Sequence, residues 1–191
     1  MNKKIFIDCE TTGKNPQKHG IIQLAAIVDI DGEIKEELNL FCVPPVGKKY
    51  DPKAAEKVPF TKKEIESFPQ ESELYNRFLE TLNKYIDKFD KNDKLLVVGQ
   101  NVQFDIRFIN ELFFRRNNRF LFSYLTGPFL DTLSIAAFLR DLGLLKSENL
   151  RLETVCNELG IRFKPHDAIE DVRATRNLYM KLVKIVKKEM K

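Results

Sequence analysis

The chain has 191 residues, of which 43% are hydrophobic and 31% are charged, and its formal net charge is +4 at pH 7. This composition is typical of a globular protein with a packed core and excludes a disordered chain. Every apolar stretch is shorter than the roughly 18 residues that a membrane span requires, and the N-terminal one is broken by Asp8 and Glu10. We therefore expect no signal peptide, no membrane partner and a cytoplasmic location.

The cysteines and the basic residues give weaker signals. Cys9, Cys42 and Cys156 are odd in number and lack the spacing of a zinc site, which favours buried reduced thiols. The mild positive charge permits a polyanionic partner without requiring one. Of two basic segments, 113–120 (FFRRNNRF) is a candidate for nucleic-acid backbone contacts, whereas 181–191 (KLVKIVKKEMK) is better explained as the solvated face of a helix.

Apolar patterning predicts strands at the start of the chain. The three predicted strands are KIFIDCE (4–10), IIQLAAIVDI (21–30) and EIKEELNLFCV (33–43). Asp31 and Gly32, between the last two, are typical of a hairpin turn. A connection rich in proline, glycine and lysine follows at 44–60, and long connections in compact domains are often functional.

The rest of the chain is predicted to be mostly helical around one further strand. Segment 71–89 has apolar residues at helical spacing, which are Leu74, Phe78, Leu82, Tyr85 and Phe89. Segment 93–101 (DKLLVVGQN) is an apolar run expected of a strand covered on both faces. Further helices are predicted within 103–116, 129–144 and 150–161, the last ended by Gly160, and from near Ala168 to the terminus. This order predicts a single α/β domain over residues 1–191, with a mixed sheet covered by helices.

The segment PHDAIED (165–171) combines a histidine with three carboxylates where the last helix begins. If Asp167 is the N-cap, Glu170 completes a capping box three residues later. Asp171 then falls on the apolar stripe that faces the core, formed by Ala174, Thr175, Leu178, Leu182 and Ile185. A buried carboxylate is costly unless it is paired or coordinates a cation, so Asp171 either bonds a neighbouring basic group or amide, or binds a metal.

Further carboxylates follow predicted strands. Asp8 and Glu10 project from the same face of a strand, roughly 7 Å apart by strand rise, and such like charges raise each other's pKa unless a cation lies between them. Asp105 opens a helix beyond Asn101, a candidate cap or turn residue, and any single acid of this kind could merely stabilise a helix start. Taken together, these oxygen ligands suit Mg²⁺ or Mn²⁺ rather than zinc. His166 adds a side chain of the type that takes a proton near neutral pH.

The ordered motifs resemble the DEDDh branch of the 3′-to-5′ exonucleases. DCETTG (8–13) matches the first motif of that family, NVQFD (101–105) the second and HDAIED (166–171) the third. The resemblance covers nearly the whole chain. It implies a ribonuclease H-like fold with a mixed five-stranded sheet, in which GPFLD (127–131) supplies the fifth strand.

The resemblance also implies roles for individual residues and a pair of divalent cations, Mg²⁺ or Mn²⁺. One cation, which activates water, would be held by Asp8, Glu10 and Asp171, and a second, on the leaving-group side, by Asp8 and Asp105. His166 would be the general base. The residues that would face the terminal nucleotide are Thr11, Thr12, Asn101 and Phe104.

Two positions depart from the family pattern. Gln23 stands where many relatives have glutamate, and we expect it beside the site rather than in it. Pro59, within KVPFT (57–61), replaces the glycine of a loop that would receive the terminal nucleotide. Because the chain stops soon after its last motif, we expect a stand-alone nuclease.

We therefore expect an enzyme that removes nucleotides from the 3′ end of single-stranded nucleic acid, with DNA favoured, and releases nucleoside 5′-monophosphates by two-metal hydrolysis. One alternative is an exoribonuclease of the same chemistry. Another is a catalytically silent module that binds strand ends, which the full set of four acids and a histidine disfavours. The expected partners are 3′ ends of single-stranded DNA or RNA, and a polymerase or a repair protein is a further candidate partner.

Overall fold

A five-stranded mixed sheet forms the centre of the protein, which we describe from a computed structural model over residues 2–56 and 58–190. The strands are β1 (Lys3–Thr11), β2 (Ile21–Ile30), β3 (Glu33–Phe41), β4 (Leu95–Gly99) and β5 (Leu125–Asp131). Their spatial order is β3-β2-β1-β4-β5, with β1 antiparallel to β2 and parallel to β4. The predicted sheet is confirmed, including its fifth strand. Met1, Lys57 and Lys191, which fall within the predicted domain, connection and last helix, lie outside the described residues.

Helices cover both faces of this sheet. In the described residues they are α1 (Pro52–Ala55), α2 (Lys62–Glu66), α3 (Glu71–Tyr85), α4 (Gln103–Arg115), α5 (Leu121–Tyr124), α6 (Thr132–Asp141), α7 (Leu152–Glu158) and α8 (Ala168–Glu189). None of these helices combines the length and the hydropathy that would be needed to cross a bilayer. All three cysteines are buried free thiols, as predicted.

The two faces of β1 pack against different helices. Ile7 belongs to a buried cluster with Phe78 of α3. Phe6 belongs to another cluster with Val172 of α8, on the opposite face. Since side chains alternate along a strand, the even-numbered residues of β1 that follow Phe6 also project toward α8.

Local turn chemistry explains two predicted boundaries. Asp31 and Gly32 have φ angles of 54° and 91°, so the hairpin between β2 and β3 uses the two left-handed residues of a type I′ turn. Gly160 ends α7 with φ 67°. Its N–H donates to the carbonyl of Asn157, and the N–H of Ile161 donates to that of Cys156, the pattern of a Schellman cap.

The helix predicted over 71–89 ends earlier, at Tyr85. The assignment of Phe89 to the apolar face of this helix was therefore wrong. Phe89 is 85% exposed. The ammonium group of Lys3 donates to the carbonyl of Tyr85 and to Asp93, while Asp93 also accepts the N–H of Asp87. These side chains satisfy backbone groups that a continued helix would use, so the chain turns away.

The basic segment 113–120 has a structural role that the sequence did not reveal. Glu71, at the first position of α3, is 3% exposed. The guanidinium groups of Arg115 and Arg116 both donate to its carboxylate. These two arginines therefore compensate a buried charge, which weakens the expectation that they bind nucleic acid.

We predict that Glu71→Gln lowers the free energy of unfolding by about 2 kcal/mol, because it removes the charge that two partly buried arginines share. Thermal or urea unfolding measures this change. Glu73→Gln is the matched control, since Glu73 is exposed on the same helix. Equal effects of the two substitutions would contradict a stabilising role for the Glu71 pairing.

Candidate active site

Strand β1 contributes two carboxylates to the face that α8 covers. Asp8 and Glu10 lie two residues apart and are both partly buried. Their partners across the antiparallel pair are Ala25 and Gln23 of β2. The regular strand therefore fixes both acids on one side of the sheet, as predicted.

The start of α8 contributes the third carboxylate. Asp167 is the N-cap, and its side chain accepts the N–H of Ile169 at 3.4 Å. Asp171 follows one turn later, on the stripe that begins with the buried Ala168. The capping of α8 by Asp167 confirms the predicted helix start.

The predicted capping box at this helix start was wrong. Asp167 bonds the second amide of the helix, on Ile169, rather than the third. The carboxylate of Glu170 is engaged by Arg173 at 2.9 Å, and Arg173 also pairs with Glu37 of β3. Glu170 thus pairs with Arg173, one turn along the helix, instead of accepting the backbone N–H of Asp167 as a capping box requires.

Asp8, Glu10 and Asp171 converge into one cluster. One carboxylate oxygen of each lies within 4.8 Å of the others. Three converging carboxylate oxygens suit a hard divalent cation such as Mg²⁺ or Mn²⁺. The residues therefore fit the metal role that the motifs implied for them.

The electrostatics of this cluster support the same interpretation. Burial raises the pKa of Asp8 well above its usual range, and the charges of Asp105, Asp171 and Glu10 add to this effect. Burial also raises the pKa of Asp171 to about 7, although the hydrogen bond from the backbone of His166 opposes the shift. The cluster can be fully ionised at neutral pH only if a positive charge compensates it.

Asp105 lies next to the cluster without being a member of the three-carboxylate group. It is buried in the first turn of α4, and its Oδ1 accepts the backbone N–H of Cys9 at 3.0 Å. Burial raises its pKa, while this backbone bond acts in the opposite direction. The bond fixes Asp105 beside β1 at Cys9, the residue between Asp8 and Glu10 in the chain.

His166 lies in the loop that leads into α8. Its backbone is left-handed, with φ 68°, and its N–H donates to Oδ2 of Asp171 at 3.1 Å. The residue is exposed. This backbone bond holds His166 next to the cluster and leaves its position open to solvent.

Two of the predicted substrate residues use their hydroxyl groups within the protein. Thr11 donates to the carbonyl of Gly13 at 2.8 Å. Thr12 donates to the carbonyl of Lys49 at 2.7 Å and accepts the N–H of Gly20 at 3.0 Å. These bonds shape the loop after β1, and substrate contact by either threonine stays a prediction.

A cleft of about 690 Å³ opens beside the cluster. Glu10 lines it, together with three predicted substrate residues, Thr11, Asn101 and Phe104. Asn101 has a left-handed backbone with φ 57°, held by a bond from its N–H to Asp131 at 2.8 Å. The predicted metal and substrate residues are therefore neighbours in space, except that Thr12 lines a separate apolar pocket.

Sequence reasoning missed the cations of the cleft. Lys14, Lys53 and Arg107 line it and are exposed. Arg107 lies three residues after Phe104, so both project from the same side of α4, and this spacing could have identified it. Lys53 comes from the connection over 44–60, whose position relative to the cleft depends on the tertiary fold.

Gln23 lies beside the site, as expected, but makes more contacts than its position suggested. Its side chain is completely buried. It hydrogen bonds to Asp167 and to the backbone of Ala168 at the start of α8. These bonds connect β2 to the helix that carries Asp171.

The fold and the site define a nuclease domain of the ribonuclease H-like class. A family model described as Exonuclease matches residues 5–179, and the chain belongs to this family, in its DEDD-type 3′-to-5′ branch.

Solved structures and curated relatives agree with this assignment. E. coli exonuclease I in complex with a dA16 oligonucleotide superposes with a TM-score of 0.77 at 26% identity, covering 96% of this chain and 41% of that one. The zinc-bound form of its complex with single-stranded DNA gives a TM-score of 0.78 at 25% identity, covering 96% and 40%.

Among curated proteins, DNA polymerase III PolC-type of Thermotoga petrophila is 28% identical over 190 residues, and that of Oceanobacillus iheyensis is 30% identical over 188 residues. The matches cover 96% and 97% of this chain but only 12% of each polymerase. The chain thus resembles one part of these much longer proteins.

We predict that Asp171→Asn raises the melting temperature at pH 8 in EDTA. A carboxyl group whose pKa rises from 3.8 to about 7 on folding destabilises the folded state increasingly as pH rises between these values, and asparagine removes this cost. Each kcal/mol regained corresponds to about 2–4 °C for a protein of this size. Mg²⁺ should stabilise the wild type more than the variant.

Glu170→Gln is the matched control, because it removes the same charge from the neighbouring residue outside the cluster. It should leave the melting temperature unchanged or slightly lower it. A melting temperature of Asp171→Asn at or below that of the wild type at pH 8 would show that the charge of Asp171 is not a cost in the folded protein.

Proposed function

We propose that this chain is a metal-dependent 3′-to-5′ exonuclease that hydrolyses phosphodiester bonds at the 3′ end of single-stranded nucleic acid, with DNA favoured, and releases nucleoside 5′-monophosphates. Residues 1–191 act as one exonuclease domain. The observation that carries the proposal is the convergence of Asp8, Glu10 and Asp171 within 4.8 Å beside a cleft lined by cations.

The acidic residues hold two divalent cations, Mg²⁺ or Mn²⁺. Asp8, Glu10 and Asp171 would hold the first, and Asp8 and Asp105 would hold the second; the charge of Asp105 already acts on Asp8. When bound, such a pair of ions activates a water molecule and stabilises the leaving oxygen of a phosphoryl displacement. The rigid attachment of these side chains to β1 and to the first turns of α4 and α8 keeps them aligned.

His166 accepts the proton of the attacking water. Its backbone bond to Asp171 keeps it beside the cluster, and its exposure allows the proton to pass to solvent. Histidine suits this role because it gains and loses a proton near neutral pH.

The cleft receives the end of the strand. Lys14, Lys53 and Arg107 provide positive charge for the phosphate backbone, and Phe104 offers an aromatic face to the terminal nucleotide. The similarity to exonuclease I in complex with dA16 supports single-stranded DNA as the substrate. The match to PolC-type polymerases supports a polymerase or repair partner.

The proposal predicts stepwise release of mononucleotides from single-stranded DNA labelled at its 5′ end, with Mg²⁺ or Mn²⁺ and not with EDTA. Duplex DNA, single-stranded DNA blocked by a 3′-phosphate, and RNA of the same sequence are digested in parallel. The Asp171→Ala variant should be inactive while remaining folded, because it loses one of three cluster ligands. Circular dichroism checks the fold of this variant.

Three results of this experiment would each point to a different activity. Faster digestion of RNA would establish the exoribonuclease, since the 2′-hydroxyl distinguishes the two polymers. Binding of 3′ ends without metal-dependent cleavage by the wild type would establish the silent module. Cleavage of the blocked strand directly to short fragments that keep the 5′ label would exclude an exonuclease.

His166→Ala should lower kcat by about 10²- to 10⁴-fold, the usual contribution of a general base. The affinity for Mn²⁺, measured by calorimetry, should change much less, because His166 contributes a backbone N–H rather than a ligand to the cluster. Asp167→Asn is the control at the adjacent position, where asparagine also caps the helix. Loss of Mn²⁺ binding as the main defect of His166→Ala would contradict the base role.

A further inference from the structure

The side chain of Gln23 is a completely buried amide in the middle of the sheet. It lies on β2 directly opposite Glu10 and projects from the same face, under the start of α8. A buried amide is costly unless its polar atoms are hydrogen bonded, so its partners are informative.

Three bonds satisfy Gln23, and two of them reach the first turn of α8. Its Nε2 donates to Oδ1 of Asp167 at 2.9 Å and to Oδ1 of Asn39 at 2.8 Å. Its Oε1 accepts the N–H of Ala168 at 3.2 Å. The partners define the orientation of the amide, because a backbone N–H can only donate and an ionised carboxylate can only accept.

These bonds belong to a set that satisfies three amides around the start of α8. The first amide of the helix, on Ala168, is bonded by Gln23, the second, on Ile169, by Asp167, and the amide of His166 by Asp171. Such amides have no partners within the helix itself. Gln23 is thus a capping group supplied by the sheet, one that also holds the side chain of the N-cap residue.

We propose that Gln23 is a positioning residue that sets His166 and Asp171 in register with Glu10. The proposal rests on the proposed function, in which these residues act on one phosphodiester. Gln23 connects the two sides of the site directly. It is paired with Glu10 across β1 and β2, and it hydrogen bonds to Asp167 and Ala168. These last two residues lie between His166 and Asp171 in the chain.

The partners of position 23 in this chain favour an amide, because it donates to Asp167 and accepts from Ala168. A glutamate at position 23 could still accept the N–H of Ala168. It would have no N–H group to donate to Asp167 and Asn39. Its negative charge would then face the carboxylate of Asp167. The expected response is a shift of the first turn of α8 away from β2, and displacements of about 1 Å at a catalytic group can lower rates by about 10²-fold.

The test compares Gln23→Glu, Asp167→Asn and the double variant Gln23→Glu/Asp167→Asn. Gln23→Glu should lower kcat on single-stranded DNA by about 10- to 100-fold, with KM changed less than about threefold, since the cleft residues are not altered. It should also weaken Mn²⁺ binding, because Asp171 moves. In the double variant, the amide introduced at position 167 can donate to the carboxylate introduced at position 23, and only one negative charge remains. Most of the loss in kcat and Mn²⁺ affinity should therefore be recovered.

Gln70→Glu is the matched control, with the same change of charge at an exposed N-cap position away from the site. It should leave kcat, KM and Mn²⁺ affinity unchanged. Thermal unfolding of every variant measures the folded fraction, and Gln23→Ala shows the effect of removing the amide without adding charge.

Wild-type kcat and Mn²⁺ affinity in Gln23→Glu would overturn the proposal, as would a double variant no better than Gln23→Glu. A loss of activity that follows only the folded fraction would reduce Gln23 to a structural residue and would also overturn it. If instead the wild type itself does not cleave DNA, the proposed function fails, and the Mn²⁺ affinities still test whether Gln23 positions Asp171.

Discussion

The repulsion among the clustered carboxylates is the constraint on which this structure depends. Asp8, Glu10 and Asp171 lie close enough to share one cation, and the charge of Asp105 acts on the same group. Like charges at a partly buried site are unfavourable, because each ionised carboxylate raises the free energy of ionising the next one. Packing and backbone hydrogen bonds elsewhere must hold the side chains in place, and a bound cation then recovers the cost.

The fold meets this constraint by taking the acids from elements that cannot easily move apart. Asp8 and Glu10 belong to β1, which pairs with β2 from Lys3 to Thr11 and with β4 from Lys4 to Phe6. Asp105 is bonded to the backbone of Cys9 in that strand, and Asp171 to the backbone of His166. Because side chains alternate along a strand, a shift of β1 by a single residue would turn both of its acids to the opposite face.

The sequence predicted those features that depend on local periodicity and turn chemistry. Asp171 was assigned to the buried face of its helix from its spacing to Ala174 and Leu178, both of which are buried. The hairpin at Asp31 and Gly32 followed from the backbone preferences of that pair.

Failures of prediction came where another side chain competes for a group that the local pattern had assigned. Lys3 and Asp93 end α3 before Phe89, and Arg173 takes the side chain of Glu170 from the helix cap. Glu71 holds two arginines that looked available for nucleic acid. The contacts of Lys3 and Glu71 join residues brought together by the tertiary fold, so sequence spacing does not indicate them. The pair of Glu170 and Arg173 is local, but two local roles competed for one carboxylate and spacing alone did not decide between them.

The charges around the cleft link the proposed metal and substrate. In the proposed function, Lys14, Lys53 and Arg107 would attract a phosphate backbone into the cleft, whereas the carboxylates of Glu10 and its neighbours would repel the phosphate group. A cation bound at the cluster reverses this repulsion, so metal and nucleic acid favour each other's binding. By thermodynamic linkage the effect is reciprocal, so a bound strand end would raise the affinity for the cation by the same factor. The proposed activity therefore needs both parts of the cleft, because the basic side chains alone would bind a phosphate backbone without bringing a phosphodiester to the carboxylates.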